Sequence, residues 1–321
     1  MKYSINDLIN KMPQDLLKSL RDFFSPADYN KIINSFRIKR KSSIRVNTLK
    51  TDKSYVMKLL QKDGFKFRDI PLIKDAFVFN ENLDNILLNH NLTKNGYIYL
   101  QNLSSMLPVL ILKPEENENI LDMASAPGSK TTYIAALMNN RGNIDAIEPD
   151  YIRMERLKHN AKILGANIIN FYQTRGENFL KDIKNIYDRV LVDAPCSGEG
   201  GITIYDQKSY QNWKKNSIQK FNSLQKKLLL NGIRLCKKNG TIVYSTCTLN
   251  IYENEMVVDE ILKKERVIIE EIEDKFKDIE GYRKPFLSYE NNIFDKSIAR
   301  CLRIIPTDQY EGFFICKLRK I

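Results

Sequence analysis

Groups that usually bind metal ions are scarce in this sequence. It contains two histidines, His90 and His159, and five cysteines, none of which form a pair separated by two residues. Zinc sites are commonly built from closely spaced cysteines and histidines. The sequence therefore predicts no metal site. An odd number of cysteines without a secretion signal is typical of a reducing compartment, so we expect a cytoplasmic protein.

Long hydrophobic runs are also missing. No apolar stretch approaches the roughly 18 residues that a membrane-spanning helix needs, and residues 1–14 lack the apolar core of a secretion signal. Acidic residues are outnumbered, with 39 Asp and Glu against 51 Lys and Arg, which leaves a net charge of +12. Such an excess favours a polyanionic partner such as RNA without establishing one. We expect a monomer that does not associate with membranes.

Strand-like and helix-like segments alternate from about residue 119 onward. The predicted strands are 119–123, 143–147, 168–172, 189–192 and 241–244, with a strand pair at 301–305 and 313–318; the predicted helices are 131–140, 151–164, 218–237 and 252–264. This alternation predicts a doubly wound, mostly parallel α/β sheet. Residues 1–100 mix short helices and extended segments instead. We therefore expect two domains, 1–100 and 101–321.

The loop after the first predicted strand, residues 124–130, is a candidate ligand site, because ligands of open α/β sheets bind at the carboxyl ends of the strands. Its sequence matches neither the phosphate-binding P-loop nor the GxGxxG pattern of dinucleotide sites. S-adenosylmethionine has no pyrophosphate, and it needs a compact turn and one carboxylate for its ribose. Gly128 permits close backbone approach, and Glu148 ends the second strand. An ordinary tight turn with a surface glutamate remains the alternative.

Two cysteine motifs also follow predicted strands. Cys196 lies in Asp193-Ala194-Pro195-Cys196, and Cys247 lies in Ser245-Thr246-Cys247-Thr248. Carboxyl ends of parallel strands meet at one edge, so we expect both thiols and the Asp193 carboxylate there. A thiolate that adds to C6 of cytosine makes C5 nucleophilic, a carboxyl group can bind N3 and N4, and a second thiol can assist release. The alternative is that both cysteines are small core residues.

These motifs resemble those of the RNA cytosine-5 methyltransferases of the RsmB/NOP/Sun family. Residues 122–132 are similar to the family's cofactor loop, 193–200 to its motif four and 244–248 to its motif six. Residues 45–48 resemble its N-terminal signature, and 311–314 its closing strand. The resemblance covers nearly the whole chain, and the order of the two cysteine motifs is highly specific.

The resemblance implies a Rossmann-like seven-stranded methyltransferase sheet with one antiparallel strand, and a small α+β N-terminal domain that is RNA-recognition-like. It implies S-adenosylmethionine-dependent methylation of C5 of a cytosine in tRNA or rRNA, with Cys247 as the nucleophile and Cys196 assisting release. Asp193 and Lys130 would line the base pocket and approach the cofactor. The expected cofactor-binding residues are Ala124, Ser125, Ala126, Pro127, Gly128, Ser129, Lys130, Glu148 and Asp193.

Several points stay open. DNA cytosine-5 enzymes attack with the cysteine of a Pro-Cys pair, which here is Cys196, whereas the Ser-Thr-Cys-Thr motif favours Cys247. The chain departs from the family pattern at residues 173–176, which lack an acidic residue, and at Thr307, where many members have histidine.

No auxiliary RNA domain is expected after residue 321, so the RNA would be bound by the N-terminal unit. A set of basic residues there is expected to contact phosphates: Arg37, Lys39, Arg40, Lys41 and Arg45. The competing hypothesis is an RNA-binding ribosome-assembly factor with an idle methyltransferase fold. A small-molecule methyltransferase is a third hypothesis, which the positive charge disfavours.

Overall fold

Two β-sheets organise the computed structural model, which describes residues 3–180 and 182–321. The helices are α1 Ile5–Lys11, α2 Gln14–Phe23, α3 Pro26–Ser35, α4 Lys53–Lys62, α5 Asp84–Asn89, α6 Asn91–Lys94, α7 Leu103–Leu112, α8 Ser129–Leu137, α9 Tyr151–Leu164, α10 Lys215–Leu235 and α11 Glu255–Leu262. The strands are β1 Ser43–Val46, β2 Phe67–Asp69, β3 Ala76–Phe79, β4 Ile98–Leu100, β5 Asn119–Asp122, β6 Asn143–Ile147, β7 Ile169–Tyr172, β8 Tyr187–Asp193, β9 Cys236–Thr246, β10 Val267–Ile269, β11 Tyr282–Arg283, β12 Ser288–Tyr289, β13 Asn292–Ile293, β14 Leu302–Ile304 and β15 Phe313–Lys320.

The larger sheet has the order β11-β14-β15-β9-β8-β5-β6-β7, and β10 pairs with the free side of part of β15. Strands β7, β6, β5, β8 and β9 are parallel neighbours, whereas β15 is antiparallel to both β9 and β14. Seven strands with β15 as the antiparallel member therefore form the centre, which confirms the predicted Rossmann-like methyltransferase sheet. The short strands β10 and β11 extend it.

Helix α9 illustrates how local sequence sets element boundaries. The side chain of Asp150 accepts a hydrogen bond from the backbone N–H of Arg153, which caps the first turn. Gly165 ends the helix in the left-handed conformation with φ of 70°. The structure therefore has the predicted bounds for this helix. No helix within residues 3–180 and 182–321 is both long and apolar enough to cross a membrane.

The junction of α10 and β9 differs from its prediction. A helix was expected over residues 218–237. Helix α10 instead ends at Leu235, and β9 begins at Cys236 and includes the turn-forming pair Asn239-Gly240. Cys236 pairs with Tyr187 of β8, and the register of the pair shifts between Tyr187 and Arg189. Pairing with the neighbouring strand thus extends β9 backwards over residues whose local sequence is typical of a turn.

The first three helices pack on the large sheet. The buried stripe of α2, which includes Leu16, Leu20 and Phe23, belongs to the same hydrophobic cluster as Val190 and Phe314 of the large sheet. The four-stranded antiparallel sheet, of order β2-β3-β1-β4, has a separate core. Residues 3–36 thus share a core with the large sheet, whereas the strands within residues 43–100 have a core of their own. The helices of residues 3–36 are amphipathic, and such a helix buries its apolar side on whichever apolar surface it meets. The RNA-recognition-like character of this region remains a prediction.

The four-stranded sheet docks on the end of α9. Asn47, which is buried, donates from Nδ2 to the carbonyl oxygens of Gly96 at 2.8 Å and Leu164 at 2.7 Å. A Cβ atom on Gly96 would lie 2.2 Å from the carbonyl oxygen of Ile163, and Gly96 has a φ of +70°. The close approach of the two backbones therefore requires glycine at this position.

We predict that Gly96→Ala lowers the free energy of unfolding by more than Gly64→Ala does. Both glycines have positive φ, but a Cβ on Gly64 would meet nothing within 4 Å. Each substitution should cost about 1–2 kcal/mol for the left-handed backbone, and Gly96→Ala about 1–3 kcal/mol more for the overlap with α9. Denaturant titration of the two variants measures the difference. Equal losses would show that the backbone contact is not as close as described.

Candidate active site

The two cysteine motifs meet because β8 and β9 are parallel neighbours. Asp193 at the end of β8 is the register partner of Ser245 on β9. Cys196 and Cys247 follow within a few residues, and their sulfur atoms lie 3.4 Å apart. Both side chains are half-buried rather than sealed in the core. The interpretation of these cysteines as ordinary core residues is therefore disfavoured by their position.

Lys130 and Asp193 form an ion pair beside the sulfurs. The Lys130 Nζ lies 2.7 Å from the Asp193 Oδ2 and donates to the Ser105 Oγ at 2.8 Å. The other carboxylate oxygen, Oδ1, accepts from the Ser245 Oγ at 2.7 Å. Burial opposes the charge of Lys130, but Asp193 and the Cys247 sulfur together raise the pKa of Lys130. A fixed positive charge thus stands next to both the carboxylate and one of the two thiols.

The loop after Cys196 is tied to the loop after Cys247 through its backbone. The N–H of Gly200 donates to the carbonyl oxygen of Cys247, and the N–H of Gly312 donates to the carbonyl oxygen of Gly200, each at 3.0 Å. A Cβ on Gly200 would lie 2.0 Å from the Gly312 carbonyl oxygen. Glycine at residues 200 and 312 therefore lets the loops after Cys196 and Cys247 and the segment before β15 converge.

Arg45 was predicted to contact RNA phosphates, and this prediction is wrong. Its side chain is 1% exposed. Its Nη1 donates to the Ser129 carbonyl oxygen at 2.7 Å and to the Gln101 Oε1 at 3.1 Å, and its Nη2 donates to the Thr132 Oγ1 at 3.0 Å. Its guanidinium also stacks 4.5 Å from the Tyr133 ring centroid. Arg45 therefore holds the start of α8, which carries Lys130.

The other predicted RNA contacts are divided between the interior and the surface. Arg40 donates through Nη1 and Nη2 to the carbonyl oxygens of residues 200–202, so these donors are already used by the loop after Cys196. Arg37 donates to the Tyr3 carbonyl oxygen at 2.8 Å. The Lys41 Nζ lies 2.6 Å from the Asp308 Oδ2, and the Lys39 side chain is exposed. The sequence run is basic, but its arginines and its lysines have different surroundings.

The loop over residues 124–130 is held by contacts to β6 and α9. The Ser125 Oγ accepts from the backbone N–H of Ile147 at 2.9 Å. Arg153 Nη2 donates to the Ala126 carbonyl oxygen, and Asn160 Nδ2 to the Pro127 carbonyl oxygen, both at 2.8 Å. The missing side chain of Gly128 faces Leu157 of α9. The loop is therefore a rigid turn at the carboxyl end of β5.

Two buried carboxylates flank this loop. Glu148 is 1% exposed, accepts from the Asp150 N–H at 2.9 Å and lies 3.3 Å from the Arg153 Nη1. Asp122 accepts from the Thr131 Oγ1 at 2.7 Å, whereas its Oδ1 is buried without a hydrogen-bond partner. Burial is the main cause that raises the pKa of Asp122 to about 6.

These groups fit a nucleoside that carries an amino acid. An unpaired carboxylate oxygen suits an ammonium group, and a second carboxylate at the end of the next strand suits ribose hydroxyls. S-adenosylmethionine offers both kinds of group, so the residues present fit this cofactor. Ala124, Ser129 and the other loop residues lie where the prediction needs them, and their contact with cofactor stays a prediction.

Comparison with known proteins identifies the family. The model of the family described as 16S rRNA methyltransferase RsmB/F matches residues 109–319. The chain belongs to the RsmB/F family. The predicted resemblance is therefore confirmed, and the match includes the loop over residues 124–130 and both cysteine motifs.

Two curated relatives differ in the RNA that their names specify. The chain is 33% identical over 318 residues to ribosomal RNA small subunit methyltransferase F of Pectobacterium carotovorum subsp. carotovorum, covering 96% of the chain and 63% of that relative. It is 36% identical over 282 residues to tRNA (cytosine(49)-C(5))-methyltransferase of Pyrococcus abyssi, covering 87% of the chain and 88% of that relative. The chain thus spans about three fifths of the ribosomal RNA relative and most of the tRNA relative.

A solved structure supports the fold. The crystal structure of a methyltransferase homolog protein from Pyrococcus horikoshii superimposes with a TM-score of 0.79 at 28% sequence identity, covering 97% of the RsmB/F chain and 100% of that protein. The similarity extends through the N-terminal region of the chain as well as the large sheet.

Sequence reasoning missed several side chains of the site. Asp122, Ser105 and Ser245 were not proposed as site residues, and neither was Glu253, a buried carboxylate near the Cys196 loop. The position of Asp122 at the end of β5 was a usable signal, because that strand end precedes the cofactor loop. Ser105 and Glu253 carry no comparable signal, since each reaches the site only through tertiary packing.

We predict that Arg45→Met destabilises the chain in the absence of RNA. The substitution removes charged hydrogen bonds to Ser129, Thr132 and Gln101, which should cost about 2–3 kcal/mol. Lys39→Met, which changes an exposed basic residue in the same segment, should stay within about 0.5 kcal/mol of the wild type. Thermal unfolding of both variants measures this. An Arg45→Met protein that unfolds like the wild type and only loses RNA affinity would contradict the structural role.

Proposed function

We propose that the chain transfers a methyl group from S-adenosylmethionine to C5 of a cytosine in structured RNA, either tRNA or rRNA. The observation that carries the proposal is the pair of sulfurs 3.4 Å apart beside the Lys130–Asp193 ion pair. A single thiol would suffice for most covalent catalysis, whereas two adjacent thiols suit a reaction in which one adds and the other assists elimination. The names of the relatives support both RNA classes.

The chemistry assigned to Cys247 is addition to the pyrimidine. Its thiolate bonds to C6 of the cytosine, and the displaced electron pair makes C5 nucleophilic. S-adenosylmethionine supplies the methyl group as an electrophile. With the methyl group transferred, S-adenosylhomocysteine leaves. A base then takes the proton from C5, the electron pair of that C–H bond re-forms the C5–C6 double bond, and the bond between C6 and the Cys247 sulfur breaks to return the thiolate. Asp193 would bind the exocyclic amine of the base.

The surroundings of the two thiols favour Cys247 as the nucleophile. Lys130 places a positive charge near Cys247, and nucleophilic cysteines in general lie beside such cations. The hydrogen bond with Cys247, burial, the charge of Cys247 and then the negative charge of Glu253 raise the pKa of Cys196 well above its usual value. Cys196 is therefore the better holder of a proton, which suits its proposed role in release.

The RNA would approach from the side of Lys39 and Lys41. These lysines line a polar cavity of about 500 Å³ together with Gly201 and Tyr205. The cavity thus borders the loop that follows Cys196. The target base must be unpaired or flipped, because C5 and C6 cannot be reached within a stack. We further propose that the protein acts as a cytoplasmic monomer and that its domain boundary lies near residue 100.

The competing hypothesis of an idle methyltransferase fold is not favoured. An RNA-binding assembly factor needs neither the adjacent sulfurs nor the buried Lys130–Asp193 pair, since burying an ion pair brings a desolvation cost. Calorimetric titration with S-adenosylmethionine separates the two hypotheses, because an idle site has no requirement for the cofactor.

We predict that the protein transfers labelled methyl groups to cytosine when it is incubated with total RNA from its host and labelled S-adenosylmethionine. Digestion to nucleosides and chromatography locate the label. Cys247→Ser should abolish labelling while it leaves cofactor binding unchanged. Label in another base, or none in cytosine when the protein binds the cofactor, would refute the proposed reaction.

We predict opposite behaviour for the two cysteine variants. Cys196→Ala should accumulate a covalent protein–RNA adduct, because addition by Cys247 proceeds while release is impaired. Cys247→Ala should form no adduct, because it lacks the thiolate that attacks C6. Denaturing gel electrophoresis of both variants with RNA and cofactor detects the adduct. An adduct with Cys247→Ala alone would reverse the two roles.

A further inference from the structure

Glu253 connects the segments that carry the two cysteines. Its Oε2 accepts from the backbone N–H of Ser197 at 3.0 Å and from the Gln225 Nε2 at 2.9 Å. Its Oε1 accepts from the Ser197 Oγ and makes a longer contact, 3.4 Å, with the Thr248 Oγ1. The side chain is fully buried. One carboxylate therefore bonds the residue after Cys196 and the residue after Cys247.

The neighbouring contacts complete a clamp around the sulfurs. The Ser197 Oγ and the Thr248 Oγ1 lie 2.7 Å apart, so the two loops also contact each other directly. Gln225 of α10 donates to the carbonyl oxygen of Pro195 at 2.9 Å, which fixes the backbone on the other side of Cys196. The separation of the two sulfurs thus depends on hydrogen bonds that converge on Glu253.

We propose that Glu253 is a positioning residue that holds the two cysteine loops together. Through its negative charge, Glu253 also keeps the Cys196 side chain protonated as a thiol. This inference rests on the proposed function for the roles of the two thiols, although its effect on the thiols themselves exists without RNA or cofactor. Glu253 does not touch the substrate, and it acts through Ser197, Thr248 and the field at Cys196.

The charge that Glu253 supplies changes near neutral pH. Burial, followed by the charge of Glu199, raises the pKa of Glu253 to about 7. The titratable groups that face it are Glu199, Cys196 and Tyr244, whose hydroxyl donates to the Glu253 backbone carbonyl. Lys130 interacts with Cys247. Each thiol therefore has a charged neighbour, a carboxylate for Cys196 and an ammonium group for Cys247.

The sign of the effect follows from this arrangement. Below pH 7 Glu253 gains a proton, loses its negative charge and no longer opposes a thiolate on Cys196. Above pH 7 the charged carboxylate accepts all of its hydrogen bonds and disfavours that thiolate. Removal of the charge should therefore make Cys196 more reactive toward an alkylating agent. The reactivity of Cys247 should change less, because Glu253 contacts the Cys247 loop only through the Thr248 hydroxyl.

The test is the rate at which iodoacetamide modifies each cysteine, measured at pH 8 by mass spectrometry of peptides. In the wild-type chain Cys247 should react faster than Cys196. Glu253→Gln keeps the side-chain volume and removes the charge. It should raise the rate at Cys196 by about three- to fourfold for each unit by which its pKa falls, because the thiolate fraction rises while the nucleophilicity of the thiolate falls. Asp259→Asn is the matched control. Asp259 is also a buried carboxylate, but it accepts from the Lys263 Nζ and from the backbone N–H of Asp295.

An unchanged Cys196 rate in Glu253→Gln, or an equal rise in Asp259→Asn, overturns the proposal. The wild-type chain supplies a second measurement that holds even if Glu253→Gln fails to fold. Between pH 6 and 8 the logarithm of its Cys196 alkylation rate should rise by less than one for each pH unit, because Glu253 gains charge over this range. A slope of one at Cys196 throughout that range overturns the proposal as well.

Steady-state kinetics with RNA provide the readout of the positioning role. Glu253→Gln should lower kcat and shift its pH profile, while the KM for RNA stays near that of the wild type, because Glu253 does not touch the RNA. A wild-type chain that methylates no cytosine refutes the proposed function, but the alkylation rates still decide whether Glu253 controls Cys196. The two proposals therefore fail in different experiments.

Discussion

Parallel pairing of β8 with β9 is the constraint on which the site depends. The register partner of Asp193 is Ser245, so both strands end at the same height on the sheet. Cys196 and Cys247 lie 51 positions apart in the sequence, yet their sulfurs are separated by 3.4 Å. The hydrogen bonds around Glu253 then refine this juxtaposition. Any slip of one strand against the other would move a thiol and the Asp193 carboxylate away from each other.

The N-terminal segment is part of the site's scaffold. Arg45 bonds the start of α8, and Arg40 bonds the loop after Cys196, so two cations from outside the large sheet hold two loops that carry site residues. An arginine presents several N–H donors in one planar fork, so a single side chain can bind several carbonyl oxygens at once. Residues 40–45 thus connect the proposed RNA-binding surface to the loops that carry Cys196 and Lys130.

Local sequence predicted most elements of the large sheet, because strands buried on both faces and helices with a cap and a terminal glycine leave clear patterns. Helix α9 and strand β6 have the predicted bounds. The basic run 37–41 and Arg45 were harder to interpret, since sequence records the charge of a side chain and not its surroundings. An arginine looks the same in the sequence whether it is buried against carbonyl oxygens or exposed beside a phosphate.

The sequence by itself determined most strands and helices of the large sheet, the two cysteine motifs at strand ends and the family. These features depend on residues close together in the chain. Only the tertiary structure decided the separation of the sulfurs, the partners of Arg40 and Arg45, and the inclusion of Glu253 and Ser105 in the site. These features depend on which backbone segments pack together, and long-range packing is set by the whole core.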